Sequence, residues 1–484
     1  MSDISVLSVA SECWPLVKTG GLADVAGALP AAVEPHGVAM TRFIPGYPAV
    51  LKALGRKRVL HKYDSLLGSP ARILAAQHDG RPILVLDAPA YFERDGSPYQ
   101  DSMGRDWLDN GLRFAAFARA AADVASGVAG GKSYDLLHAH DWQAGLAPAY
   151  LVYAAQGEHR PRTVMTIHNM AFQGFFGRDF FSRLELPQSA FSIEGVEYHG
   201  GVGFLKAGVG LADAVTTVSP SYAEEIRTPQ FGMGLEGLIL GRQDRLSGIV
   251  NGIDPAQWNP ASDPARAATF APATIEKRAA NKRAVEAAFG LDSDEGPLFV
   301  VISRLTWQKG MDVLIEVIDH LVGLGGRLAL LGSGDAAIEA GLRQAAGRHP
   351  GRVGIRTGYD EALSHLMQGG GDAILVPSRF EPCGLTQLYG LAYGCVPVVA
   401  RTGGLADTIV DANLAAVSAD AATGILFSPV NYEGLAHAIT RAVRLHGDTG
   451  VWQRIQKRGM AADFSWSRSG AAYAHLYERL LEHP

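Results

Sequence analysis

Cysteine is nearly absent: Cys13, Cys383 and Cys395 are the three in 484 residues. They form no C-x-x-C pair and no zinc-type spacing. The expectation is free thiols in a reducing compartment, not a disulfide frame or a zinc module. No apolar run reaches the roughly 18–20 residues that cross a bilayer. The opening Met1-Ser2-Asp3 lacks a basic region and leads straight into a strand pattern, which argues against a secretory signal. A cytoplasmic protein without membrane attachment is therefore expected. Excess positive charge is missing too: 43 Lys and Arg stand against 49 Asp and Glu, a net charge of −6. Nucleic-acid binding needs clustered excess cations, so nucleic acid is not an expected partner. An anionic ligand would have to be held by a few placed cations.

What is present is core-forming material, with 47% hydrophobic and 19% charged residues. A chain of this length is expected to divide into two or three domains. Short β-branched runs alternate with longer helical patterns from end to end. In the first half the strand patterns are Ile4–Ala10, Thr41–Ile44, Ile83–Leu86, Leu136–Ala139, Thr163–Ile167 and Ala214–Val218. Helical patterns cover Ala23–Glu34, Leu108–Ser126, Gly145–Ala155 and Phe204–Leu211. The second half repeats the grammar, with strands at Leu298–Ile302, Leu328–Leu331, Val353–Arg356, Ala373–Val376, Val396–Ala400 and Gly424–Phe427. Its helices include Ile275–Phe289, Asp312–Leu324, Ile338–Ala346, Glu361–Gln368 and Leu385–Tyr393. Alternation of this kind predicts an α/β fold of two Rossmann-like domains, each a parallel sheet with helices on both faces. Residues 248–264, rich in Pro, Asn, Asp and Gly, read as the linker between domains 1–247 and 265–460. Residues 461–484 read as an amphipathic helix that crosses back to the first domain. Two such units facing each other would frame one deep cleft.

Chemistry-bearing residues cluster at predicted strand ends. Arg304 and Lys309 lie in the turn Ser303-Arg304-Leu305-Thr306-Trp307-Gln308-Lys309-Gly310, between a strand and a helix. A planar fork of donors beside a mobile ammonium suits a diphosphate, though a surface turn with two solvated cations is the plainer reading of the pair in isolation. Lys18-Thr19-Gly20-Gly21 opens a helix and could cradle phosphate, or simply be a tight turn. His138-Ala139-His140-Asp141 invites a metal, yet strand alternation would turn Asp141 away from both histidines and no third ligand is nearby. His168 and Asn169 end another strand, where a histidine could meet a sugar hydroxyl or be satisfied in the core. Asp292-Ser293-Asp294 has the D-x-D form of metal-dependent sugar transfer but reads better as a solvated turn. Gly332-Ser333-Gly334 lacks the third glycine of a dinucleotide site. In Ser378-Arg379-Phe380-Glu381-Pro382-Cys383-Gly384-Leu385-Thr386, Glu381 sits just before a helix whose first N–H groups are free to take a phosphate or hydroxyl oxygen. Tyr99 closes an aromatic, turn-rich loop that could pack on a sugar face or anchor itself.

The motifs KTGGLADV, HAHDWQAG, TIHN, NGID, SRLTWQKG, SRFEPCGLTQLY and RTGGLADT occur in this order over essentially the whole chain. Together they resemble the bacterial glycogen synthase and plant starch synthase family, without departure in the most specific of them. The resemblance implies the two-domain GT-B glycosyltransferase architecture. It implies retaining transfer of glucose from ADP-glucose to the non-reducing 4-hydroxyl of an α-1,4-glucan such as glycogen, with release of ADP. No cofactor or metal is implied. By the same resemblance Arg304 and Lys309 hold the diphosphate, and His168, Asn251 and Glu381 contact the donor glucose. Cys383, Gly384, Leu385 and Thr386 line the sugar and phosphate site, Lys18 and Gly21 approach the diphosphate, and Tyr359 lies against adenine. Asp24 and Asp141 serve the donor or acceptor side, in roles the resemblance does not separate. It also implies front-face attack, with the main-chain carbonyl of His168 on the opposite face of the sugar.

The rival readings are a related transferase that uses UDP-glucose or a small acceptor, a phosphorylase, and a catalytically silent glucan- or nucleotide-binding regulator. A phosphorylase would need a Schiff-base lysine and normally a longer chain. A silent regulator would be expected to have lost Arg304, Lys309 or Glu381, and all three are present.

Overall fold

The computed structural model describes residues 4–129, 131–154, 157 and 159–482. Met1-Ser2-Asp3 and Ala155, the expected end of one helix, lie outside them. The chain divides into two compact units: residues 1–252 with 466–484, and residues 253–465. The first change-over thus falls inside the expected linker, and the second immediately before the C-terminal helix.

The strands of the first unit are β1 (Ile4–Val9), β2 (Val38–Pro45), β3 (Arg58–Leu66), β4 (Ser69–His78), β5 (Arg81–Asp87), β6 (Leu136–His140), β7 (Arg162–Ile167), β8 (Phe175–Phe176), β9 (Glu197–Tyr198), β10 (Gly201–Gly203), β11 (Ala214–Thr217) and β12 (Leu246–Gly248). Nine of them form one sheet in the order β12-β11-β7-β6-β1-β2-β5-β4-β3. Pairing is parallel from β12 to β5 and antiparallel for β5-β4 and β4-β3. The wholly parallel sheet expected here therefore carries an antiparallel hairpin at one edge. Residues Arg58–Leu66 give no apolar run because most of that strand is exposed. Its Arg58 and Lys62 are the kind of charge that keeps a sheet edge from pairing further.

Both faces of the sheet are covered. Successive β1 residues alternate between two apolar clusters, Leu7 and Val9 on one side and Val6 on the other. The second cluster is closed by the C-terminal helix, Trp466–Glu482. It buries Trp466, Tyr473, Ala474 and Tyr477, spaced for a single helical stripe, against the Val25, Leu29 and Ala32 face of the helix Gly21–Val33. A Cβ on Gly470 would come within 2.1 Å of the Ala32 carbonyl oxygen, so only glycine permits this approach.

The second unit contains β13 (Leu298–Ile302), β14 (Arg327–Gly332), β15 (Val353–Thr357), β16 (Ala373–Val376), β17 (Val396–Ala400) and β18 (Ile425–Phe427). They form an all-parallel sheet in the order β15-β14-β13-β16-β17-β18. In β13, Phe299 and Val301 enter one cluster while Leu298 and Val300 enter another. Burial on both faces is why this strand reads as an unbroken apolar run. The helix that follows, Met311–Gly323, buries Met311, Leu314, Ile318 and Leu321 along one face. Each such side chain contributes about 1.5–3 kcal/mol on burial, as an upper bound. β13 and β16 are neighbours, so the turns at their carboxyl ends meet.

Candidate functional site

The candidate residues fall into two groups, one in each unit. In the second unit the decisive feature is the meeting of the turns after β13 and β16. Gly310 takes φ +67°, and a Cβ there would strike the Pro377 carbonyl oxygen at 2.0 Å, so glycine lets one turn pass against the other. Cross-bonds then lock them. The Arg379 main-chain N–H donates to the Gln308 carbonyl at 2.9 Å. Its guanidinium grips both Asp312 carboxylate oxygens at 2.7 Å and lies 4.3 Å from the Trp307 ring centroid. The bond from Arg379 holds the Asp312 carboxyl below its ordinary range.

Within this frame the Lys309 ammonium lies 2.5 Å from Glu381 Oε2, and the Ser378 hydroxyl donates to the same oxygen at 2.8 Å. Glu381 is 7% exposed. Lys309, Ser378, Glu381, Gly384 and Thr386 line one pocket. A third turn, after β17, closes in: Gly403 and Gly404 approach the Glu381 and Cys383 carbonyls so tightly that a Cβ on either would meet oxygen at 2.1 Å. Cys383 is buried and Leu385 partly buried against the core. Arg304 and Tyr359 are exposed and do not line that pocket. The Arg304 guanidinium makes no ion pair among the described residues, and the Tyr359 hydroxyl reaches Glu361 at 3.2 Å.

Two other sequence features of this unit resolve differently. Asp294, of the D-x-D, is ion-paired with Arg352 and, at 3.2 Å, with Arg327. It sits near the amino ends of β13 and β14, away from the pocket, and is half-buried in a structural cluster instead of a solvated turn. Gly332 and Gly334 lie against the Ser303 and Leu305 carbonyls, 2.0 and 2.3 Å from where a Cβ would be. Their role is to let the first turn pack.

In the first unit, the ends of β1, β6 and β7 lie side by side. Buried Glu12, just beyond β1, was not singled out from the sequence. Its carboxylate accepts the Thr19 hydroxyl and Tyr99 hydroxyl at 2.5 Å, and the N–H groups of Thr19 and, at 3.3 Å, Gly20. Two of the N–H groups expected to cradle phosphate are thus already engaged, leaving Gly21 at the helix start. Gly20 itself is extended, at φ −156°. Lys18 Nζ donates to Asp24 Oδ1 at 2.7 Å across the turn. Tyr99, read from the sequence as either a sugar-facing or an anchoring aromatic, has its hydroxyl turned inward to Glu12 and to Ser11 at 2.7 Å.

At the ends of β6 and β7, His140 Nδ1 lies 3.0 Å from His168 Nε2. His138 is occupied by Tyr477, at 2.8 Å, and Thr166, at 2.6 Å. Burial pushes His138 and His168 down to about 3 and His140 well below its ordinary range, so all three are neutral at pH 7. Asp141 adopts φ +55° and accepts the His168 main-chain N–H at 2.7 Å. Burial pushes its carboxyl up to about 7, against the pull of N–H bonds from His168 and Asn169. The Asn169 side-chain oxygen takes the Ala171 N–H at 3.0 Å. Asn251 is buried, and its Oδ1 has no partner among the described residues. Among the described residues no group of three or more His, Cys, Asp or Glu is arranged to hold a metal ion, and no helix is long and apolar enough to cross a membrane.

Comparison with known proteins decides the family. Residues 5–240 match the family model of the starch synthase catalytic domain, and residues 285–453 that of glycosyl transferases group 1. A glycogen synthase of Novosphingobium aromaticivorans is 68% identical over 479 residues, 99% of each chain. The chain belongs to the glycogen synthase family. Another member, from Rhizobium rhizogenes, is 57% identical over 478 residues, again 99% of each chain. The catalytic domain of Arabidopsis thaliana starch synthase IV, solved bound to ADP and acarbose, superposes with a TM-score of 0.89 at 30% identity over all of both chains. Sucrose-phosphate synthase of Thermosynechococcus elongatus, at 16% identity and a TM-score of 0.60 over 99% of this chain and 100% of its own, shares the fold. The family thus carries the two-domain GT-B glycosyltransferase fold, and the chain is an enzyme of glucan synthesis.

Proposed function

We propose that the chain elongates an α-1,4-glucan by transferring glucose from ADP-glucose to the non-reducing 4-hydroxyl with retention, releasing ADP. The observation that carries this reading is the Lys309–Glu381 contact in the pocket at the ends of β13 and β16, with Arg304 exposed on the same turn. Breaking the bond between the anomeric carbon and the phosphate oxygen sends its electron pair to the diphosphate. Lys309 and Arg304 receive that charge, and stabilise it more in the transition state than in the ground state. Glu381, held by Ser378 and Lys309, orients a hydroxyl of the donor sugar. The departing phosphate oxygen takes the proton of the acceptor hydroxyl as the new carbon–oxygen bond forms on the same face. Tyr359 offers an exposed ring to the adenine. The ADP and acarbose bound to the Arabidopsis relative support an adenine nucleotide and a glucan-like ligand here.

The test supplies ADP-glucose or UDP-glucose with glycogen and measures polymer growth, nucleotide release and the anomeric form of the new linkage. Growth with ADP-glucose through α-linkages supports the reading. Nucleotide release without growth, or growth with UDP-glucose only, contradicts it.

A further inference from the structure

We propose that Ser8 and His140 are positioning residues that keep the proton of His168 on Nδ1, so that this nitrogen donates a hydrogen bond to a hydroxyl oxygen of the bound sugar. The inference rests on the proposed sugar contact of His168 and adds to it the groups that set its direction.

Ser8, on β1, is 1% exposed, and among the described residues its hydroxyl has one partner, His140 Nε2 at 3.2 Å. A buried donor hydrogen without an acceptor costs its full desolvation, whereas an unused lone pair is tolerated more readily. Ser8 therefore donates, and His140 Nε2 accepts. Neutral imidazole carries a single proton, so that of His140 sits on Nδ1. This nitrogen is 3.0 Å from His168 Nε2 and donates to it. His168 must then carry its own proton on Nδ1. The reverse chain would leave the Ser8 hydrogen pointing at nothing.

The surroundings enforce the direction. His140 is fully buried and its ring lies 4.1 Å from that of His138. Both His138 nitrogens are taken by Tyr477 and Thr166, so His138 offers His140 no alternative partner. Asp141 fixes the His168 main chain by accepting its N–H. His168 is partly exposed, and its Nδ1 makes no hydrogen bond with a described residue. Depression of all three imidazoles by burial keeps them neutral, which the tautomer argument requires. The order of bonds matters chemically: a Nδ1–H donor selects a sugar oxygen, whereas a bare Nδ1 would select a sugar hydrogen.

The test is nitrogen-15 correlation spectroscopy of histidine side chains in the full chain, with kinetics of three variants. His168 Nδ1 is expected to be of the protonated, pyrrole type and Nε2 of the bare type. Ser8→Ala should convert this into a mixture of the two tautomers. His140→Leu should lower kcat roughly 10- to 100-fold, the scale of losing a partner that orients a functional histidine, with ADP affinity unchanged. His140→Asn, which keeps an amide donor near the Nδ1 position, should recover most of that loss. A bare His168 Nδ1 in the unaltered protein overturns the proposal, as does full activity in a folded His140→Leu variant. The tautomer reading needs no turnover. Absence of glucosyl transfer in the unaltered protein would therefore defeat the proposed function without disturbing it.

Discussion

The Lys309 ammonium and the Glu381 carboxylate, 72 residues apart in sequence, touch at 2.5 Å. The contact makes two distinct predictions from one pair. Lys309→Ala removes the cation proposed to receive the charge of the leaving diphosphate and should lower kcat by about 10²–10³, the cost of one transition-state electrostatic partner. Turnover within a few-fold of the unaltered protein at saturating ADP-glucose would rule out the leaving-group role. Glu381→Ala should impair turnover while ADP affinity, measured by calorimetry, is retained, because Lys309 then has no competing carboxylate. A matching loss of ADP affinity would make Glu381 a structural part of the nucleotide pocket.

Fixed cations also bear on metal dependence. Of the two D-x-D carboxylates, Asp294 is held by Arg327 and Arg352, and both lie at the other end of the strands from the Lys309–Glu381 pocket. Lys309 and Arg304 supply positive charge where the diphosphate is proposed to leave. Glucosyl transfer is expected to be unchanged by a chelator. Loss of rate under chelation, restored by added magnesium, would assign the leaving-group charge to an ion.

How far the sequence shows this arrangement depends on the range of the interactions. β13 and β16 are legible to their ends because strands buried on both faces appear as uninterrupted apolar runs. The hairpin β3–β4 left no such run, since its outer strand is largely exposed and charged. Arg304, Lys309 and Glu381 were visible because each lies in a turn directly after a strand. Glu12 was not: its tie to Tyr99 spans 87 residues and leaves no periodic trace. The same holds for the bond between Ser8 and His140 across 132 residues, although His140 itself is legible as a strand-end histidine. Strand alternation predicted that Asp141 would turn away from the histidines. Its positive φ ends that alternation, and its carboxylate instead meets the His168 main chain.

Buried titrating groups near β6 and β7 predict opposing effects of pH on stability. His138 and His168 are pushed down to about 3, from an ordinary value of roughly 6.5. Over that window the unfolded chain binds protons that the folded chain refuses, so their contribution to stability rises with pH and is complete above roughly 6.5. Asp141 has the opposite sign. Its carboxyl, pushed up to about 7, keeps a proton in the folded chain that the unfolded chain loses, so stability falls as pH rises from roughly 4 to 7. Thermal melts across that range should therefore rise more steeply with pH in Asp141→Asn and less steeply in His168→Gln. Parallel curves for all three proteins would show that these groups titrate alike in folded and unfolded chains.

Tyr99 separates an anchoring role from a sugar-binding one. Its hydroxyl donates to Glu12 and is 2.7 Å from Ser11, and its ring packs 5.9 Å from that of Phe114. Through Glu12 it also supports the turn at Thr19 and Gly20. Tyr99→Phe keeps the ring but removes the hydroxyl, leaving Glu12 short of one donor in a buried position. The expected cost is about 1–3 kcal/mol of stability, the range for a buried polar group deprived of its partner. If anchoring is the whole of its role, the KM for glycogen should stay within a few-fold of the unaltered protein once assays are run well below the melting temperature. Should the KM for glycogen rise sharply while stability holds, the hydroxyl would have to leave Glu12 and meet the glucan directly.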